Sequence, residues 1–122
     1  MLNVSIQRAN AIAVLEPVGA LTQQDFIYAA DVIDPYIRAN GYLNGILLFS
    51  QNFPGWESFS AMASHMEFIK EHHQYVARIA IVTDSVLGNF VSLLSGHFVH
   101  SEIKWFNFDD IDNAQLWLLI PS

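Results

Sequence analysis

The residues of this chain that could do chemistry are five histidines, twelve carboxylates and a scatter of serines, with no cysteine. Their spacing decides what they can do. His65 and His72 are seven apart, which puts them on one helix flank but roughly 10 Å from each other. A metal-holding pair on a helix needs a separation of four. His72 and His73 point in divergent directions, His97 and His100 straddle a helix end, and no third ligand is indicated, so no metal is expected. Ser95-Gly96-His97 is not the Gly-x-Ser-x-Gly elbow, and no strand leads directly into it. The glycine-rich phosphate-binding patterns are absent as well. Asp109, Asp110 and Asp112 resemble general acids only on paper; at a helix start they read as a cap and dipole-favoured anions. The missing cysteines exclude disulfides, thiolate catalysis and zinc-thiolate sites. No catalytic residue, no cofactor and no metal is expected, and the chain does not read as an enzyme.

The apolar residues are more informative. From Ser85 to Ser101 the chain carries no acidic or basic side chain apart from its histidines: SVLGNFVSLLSGHFVHS. Val86, Phe90, Leu93, Leu94 and His97 share one helical face, while Leu87, Val91 and Phe98 fall on the other. A helix that is apolar all round needs cover on both sides. Burying the second trio is worth roughly 5 kcal/mol before entropy costs, so a ligand pocket between the second and third helices and a contact with another subunit are the leading readings, with neither of them the third. Phe53-Pro54-Gly55-Trp56 is a turn whose aromatics either staple the next helix to the core or wall a pocket mouth. Met62 and Met66 have the same two readings, because thioethers fill core gaps and also line adaptable surfaces.

Composition points the same way. Hydrophobic residues make up 52% and charged ones 14%, against roughly 25% charged in ordinary soluble domains. Net charge is −7, and Arg8, Arg38, Lys70, Arg78 and Lys104 are scattered. Nucleic acid and anionic lipid surfaces both want a concentrated basic footprint, so neither is expected as a partner. The N-terminus does not read as a signal peptide, and no apolar run reaches the ~18 residues that span a bilayer. A cytoplasmic location is expected.

The elements that must position these residues follow from periodicity. Residues 2–7 and 11–18 alternate as two strands around an Arg8-Ala9-Asn10 turn. Thr22 and Asp25 resemble a capping box, and Phe26, Ala29, Ala30, Ile33, Tyr36 and Ile37 recur at helical spacing up to Asn40-Gly41. Pro35 predicts a kink, or a restart capped by Asp34. Gly45 to Phe49 is an apolar run covered on both faces. A second helix is expected from about Trp56 to His73, a strand at Arg78–Thr83, and a third helix in the uncharged stretch. A strand at 102–108 and a helix opened by Asp109 and running to Leu119 complete one domain spanning residues 1–122. The order is ββαβαβαβα: an α/β fold with a mixed, mainly parallel sheet of four to five strands and about four helices.

Several blocks, taken in order, resemble the SpoIIAA-like family of the STAS-like α/β superfamily. They are Gly19-Ala20-Leu21-Thr22 with Asp25-Phe26, Phe53-Pro54-Gly55-Trp56, Arg78-Ile79-Ala80-Ile81-Val82 with Asp84, and Trp105-Phe106 followed by Asp109, Asp112, Ala114 and Trp117-Leu118. The resemblance implies a sheet flanked by helices, similar also to lipid-carrying CRAL-TRIO domains, with binding of small nonpolar molecules rather than catalysis. The phosphorylated serine of the anti-sigma-factor antagonists is not implied, because Phe49 to Ser58 lacks their aspartate-serine pair. The expected function is a binding module, a carrier or sensor of nonpolar or amphipathic small molecules. Its expected lining is Trp56, Phe59, Met62, Met66, Phe90, Leu94 and Phe98, with Gly55, Gly88 and Gly96 as hinges. The alternative is a homodimeric interaction or regulatory module that uses Leu87 and Val91 as its contact.

Overall fold

Alternation of apolar and polar residues folds the first seventeen residues back on themselves. In the computed structural model, which describes residues 1–52, 55, 64, 68, 71, 72, 75–84 and 102–120, β1 (Leu2–Gln7) pairs antiparallel with β2 (Ile12–Pro17). The register runs without a bulge from Leu2 opposite Pro17 to Gln7 opposite Ile12. β3 (Leu43–Phe49), β4 (Val76–Val82) and β5 (Glu102–Phe106) then add in parallel, giving one five-stranded sheet in the order β1-β2-β3-β4-β5.

Helix α1 (Gln23–Asn40) makes the crossover from β2 to β3. Thr22 and Asp25 close the expected capping box: the Asp25 N–H donates to Thr22 Oγ1 at 3.3 Å, and the Thr22 N–H donates to Asp25 Oδ2 at 2.8 Å. Gly41 ends the helix at φ 87°, its N–H bonded to the Ile37 carbonyl at 2.6 Å. The restart expected at Pro35 does not occur, because α1 runs straight through it. Pro35 and Asp31, whose carbonyl loses its partner there, both face solvent. Ile33, Tyr36 and Ile37, on either side of the proline, are buried on the sheet and hold the helix in line.

Two apolar clusters sandwich the sheet. On one face Phe26, Ala29, Ile33 and Ile37 of α1 pack with Ala13, Leu15 and Ile46, and Phe68 joins them. On the other, Ala114 and Leu118 of α2 (Ile111–Leu118) pack on Ile12, Leu47, Ala80, Val82 and Phe106. Two α-helices are thus delimited among the described residues, against about four expected. Ser64, Phe68, Glu71 and His72 are helical, and the rest of the expected second and third helices lies outside the described residues. The entry to α2 also departs from expectation. A 3-10 turn at Phe108–Asp110 precedes it, and neither Asp109 nor Asp110 caps it. The capping carboxylate comes from across the sheet: Asp84 Oδ1 accepts the Phe108 N–H at 3.0 Å.

A buried cation fastens the far end of α2. Arg78 on β4 donates from one terminal nitrogen to the carbonyls of Trp117 and Ile120, at 2.8 and 2.7 Å, and from Nε to Glu102 at 3.2 Å. Its guanidinium also lies over the Trp117 ring, 5.4 Å from the centroid. The helix comes so close to β3 that a Cβ on Gly45 would meet Leu118 Cδ2 at 2.5 Å and the Arg78 carbonyl at 3.2 Å.

Two substitutions test this joint by urea denaturation. Arg78→Ala removes the donor shared by two carbonyls and leaves a gap in a buried position, and is expected to cost about 2–4 kcal/mol, with Arg78→Lys recovering little because one ammonium cannot reproduce the fork. Gly45→Ala is expected to cost about 1–3 kcal/mol through overpacking against the fully buried Leu118. A loss below the error of the measurement for both would show that α2 is not held here.

Candidate functional site

The expected ligand lining, Trp56, Phe59, Met62, Met66, Phe90, Leu94 and Phe98, lies outside the described residues, as do Leu87 and Val91. So do His65, His73, His97, His100, Ser95 and the hinges Gly88 and Gly96. Gly55 is described. It sits at φ 79° and its carbonyl accepts the Leu21 N–H at 2.9 Å, tying the approach to the expected second helix to the loop before α1.

Polar groups meet at the joint between α1 and the helical residues Phe68, Glu71 and His72. The imidazole of His72 is buried and stacks on Phe68 at 4.2 Å between centroids. Its Nδ1 lies 2.7 Å from the Phe68 carbonyl and its Nε2 2.6 Å from Asp34 Oδ1. Both partners are acceptors, so both bonds form together only on the ring that carries two N–H groups. Both ring nitrogens face oxygen atoms of the protein. Asp34, expected as a helix cap, is instead the partner of this histidine, 38 residues away on another element. No sequence spacing links the two positions, and a buried, doubly bonded His72 replaces the exposed or half-buried one expected.

Beside the pair opens a cavity of about 430 Å³ lined by Ile37, Arg38, Gly41, Glu71 and Tyr75. Its charged lining is Arg38, Asp34 and Glu71, with His72 beside them. Among the described residues no group of three histidines or carboxylates is placed to hold a metal.

A second concavity, about 740 Å³, runs between β5 and α2. Phe106, Leu116, Trp117 and Ile120 supply an apolar wall, and Lys104, Asn107, Asp110 and Asn113 a polar rim. Leu116 and Ile120 are 64% and 54% exposed. The indole of Trp105 is anchored at the same edge by donating to the Thr83 carbonyl at 2.8 Å. The sequence reading gives the last helix its bounds but names no groove beside it. Ser50, which follows β3, holds a local turn, its hydroxyl donating to the Asn52 carbonyl at 3.1 Å.

A mixed five-stranded sheet with α1 on one face and α2 on the other defines the class: an α/β domain with a SpoIIAA-like fold. The SpoIIAA-like family model matches residues 12–119, so the chain belongs to the SpoIIAA-like family. Among solved structures it is similar to an uncharacterized protein of the DUF3478 family from Shewanella loihica PV-4, described as having a SpoIIAA-like fold. That similarity has a TM-score of 0.71 at 19% identity, covering 97% of this chain and 92% of the other. Comparison with curated proteins gives no significant match. No helix among the described residues is long and apolar enough to cross a membrane.

If His72 is a clasp rather than a base, its removal must register in stability. His72→Phe, which keeps the ring stack, is expected to cost about 2–3 kcal/mol, and Asp34→Ala about 1 kcal/mol. A double-mutant cycle on the two should return a coupling of about 1 kcal/mol by thermal or urea unfolding. Additive losses would show that the two side chains do not act on each other.

Proposed function

We propose that this domain is a non-enzymatic module that binds nonpolar or amphipathic small molecules, as a carrier or sensor. The observation that supports the reading best is the concavity beside α2, where apolar side chains stand open under a polar rim containing Lys104. Concave, mostly apolar sites with a few polar groups at the margin suit an amphipathic molecule, its tail on the wall and its head at the rim. Polar chemistry is meanwhile tied up internally: His72 faces Asp34, and Arg78 serves the end of α2. The hydrophobic excess of the whole chain agrees with this, and so does the uncharged stretch with the lining around Trp56 and Phe90.

A second reading is a homodimeric or regulatory interaction module that works without a phosphoserine switch. It is favoured by an edge strand, β1, that carries no charged residue at all.

The small-molecule reading is tested on freshly purified protein by native mass spectrometry, solvent extraction and titration with a fluorescent fatty acid. A bound apolar species and saturable probe binding are expected. Leu116→Lys with Ile120→Lys addresses the groove, and Trp56→Ala with Phe90→Ala the expected lining. One pair should weaken the probe about tenfold or more, the equivalent of about 1.4 kcal/mol. No extracted species together with no saturable binding would overturn the proposal.

A further inference from the structure

A sheet has two edges, and this one protects them unequally. β5 is short and places Glu102 and Lys104 on its rim, charges that discourage another strand from docking. Among the described residues β1 has none of the usual protections. Its six residues, Leu2-Asn3-Val4-Ser5-Ile6-Gln7, include no charge, no proline and no bulge. Val4 and Ile6 are only half-buried, on the face that α1 covers. Asn3, Ser5 and Gln7 point to the opposite face, over the part of the sheet that α2 leaves open.

We propose that two copies of this chain pair through β1, antiparallel about a two-fold axis at Ser5, continuing the sheet from five strands to ten. The inference rests on the interaction reading and supplies its surface and its partner. A second copy is the occupant because the strand complements itself in this register. Ser5 lies opposite Ser5 of the copy, Asn3 opposite Gln7, and Val4 opposite Ile6. Amide then meets amide on one face and apolar meets apolar on the other, with no like charges opposed.

The helix above the edge agrees. Asp25 bonds to the amino group of Met1 at 3.4 Å, and the Tyr36 hydroxyl donates to the Arg8 carbonyl at 3.3 Å, so one flank of α1 borders β1 along its length. That flank displays Tyr28, 48% exposed, and Val32, half-buried. With strands spaced about 5 Å apart, a helix seated over β1 and β2 comes about 10 Å from its copy, the separation at which helices pack. Tyr28 and Val32 then bury each other across the axis. The same register carries Arg8, which makes no ion pair among the described residues, to the Asp25 end of the copy's α1.

Sedimentation of the full chain tests the pairing. The wild type is expected at twice the 13.8 kDa of one chain. Asn3→Lys with Ser5→Lys puts lysines on the exposed face of the edge and should weaken association about tenfold or more, with the circular dichroism unchanged. Since the chain has no cysteine, Ser5→Cys should form a covalent dimer on mild oxidation. Residues directly opposite in an antiparallel pair lie about 4.5–5.5 Å apart at Cα, within disulfide reach. Val4→Cys, whose opposite residue is Ile6, should not cross-link. A monomeric wild type overturns the proposal. A dimer indifferent to the lysines and not cross-linked by Ser5→Cys overturns this surface, while an interaction module using another face survives. If the lysine variant fails to fold, the cysteine pair alone decides.

Discussion

The fold turns on one buried guanidinium. Arg78 enters the sheet on β4, where a cation in an apolar layer is costly unless every donor finds an acceptor. It finds three, Glu102 and the carbonyls of Trp117 and Ile120 where the chain leaves α2. Charge and helix end solve each other's problem. A cation at a helix C-terminus also opposes the partial negative charge there, and the Trp117 ring covers the guanidinium from above. The consequences spread outward. α2 is seated so low that β3 must offer a glycine at position 45, and its remaining apolar residues, Leu116 and Ile120, are turned towards the groove beside β5.

The same economy governs the other polar groups. His72 spends both nitrogens bridging two elements, Asp84 caps a 3-10 turn that follows β5, and Trp105 gives its one N–H to the Thr83 carbonyl. A catalytic site needs polar groups held in place with one valence free for the substrate. His72, Asp84, Arg78 and Trp105 are held in place by the protein's own groups. The apolar features left open among the described residues are the wall beside α2 and the flank of α1, and β1 leaves an uncharged edge.

How much of this was legible in the sequence depended on range. The capping box at Thr22 and Asp25, the stop at Gly41, the strand at 2–7 and the apolar run at 45–49, two residues short of the full strand, are local patterns, and local patterns were readable. Asp34 and Pro35 show where local reading fails. Taken alone, an aspartate before a proline is a helix cap. In the fold, the buried residues on both sides carry α1 through the proline and free Asp34 to meet His72. Arg78 was visible only as a scattered cation, since its acceptors lie 39 and 42 residues further on. The expected capping role of Asp109 and Asp110 failed in the same way, because the carboxylate that does the work comes from position 84. Family resemblance supplied the topology that periodicity could not, but it carries no side-chain pairings.

The uncharged stretch from 85 to 101 drew attention in the sequence because a helix without a charged face demands cover. β1 makes the same demand in another form, and it is easier to overlook. Alternating Val4 and Ile6 with Asn3, Ser5 and Gln7 looks like an ordinary half-buried strand until its place in the sheet is known. Only the strand order turns it into an edge, and only at an edge does the absence of lysine, proline or a bulge acquire meaning. Charge is scarce throughout this chain, yet where the sheet ends at β5 two charges are present. Their absence at β1 is therefore a local property of that edge, and a backbone left ready to pair is the physical content of that difference.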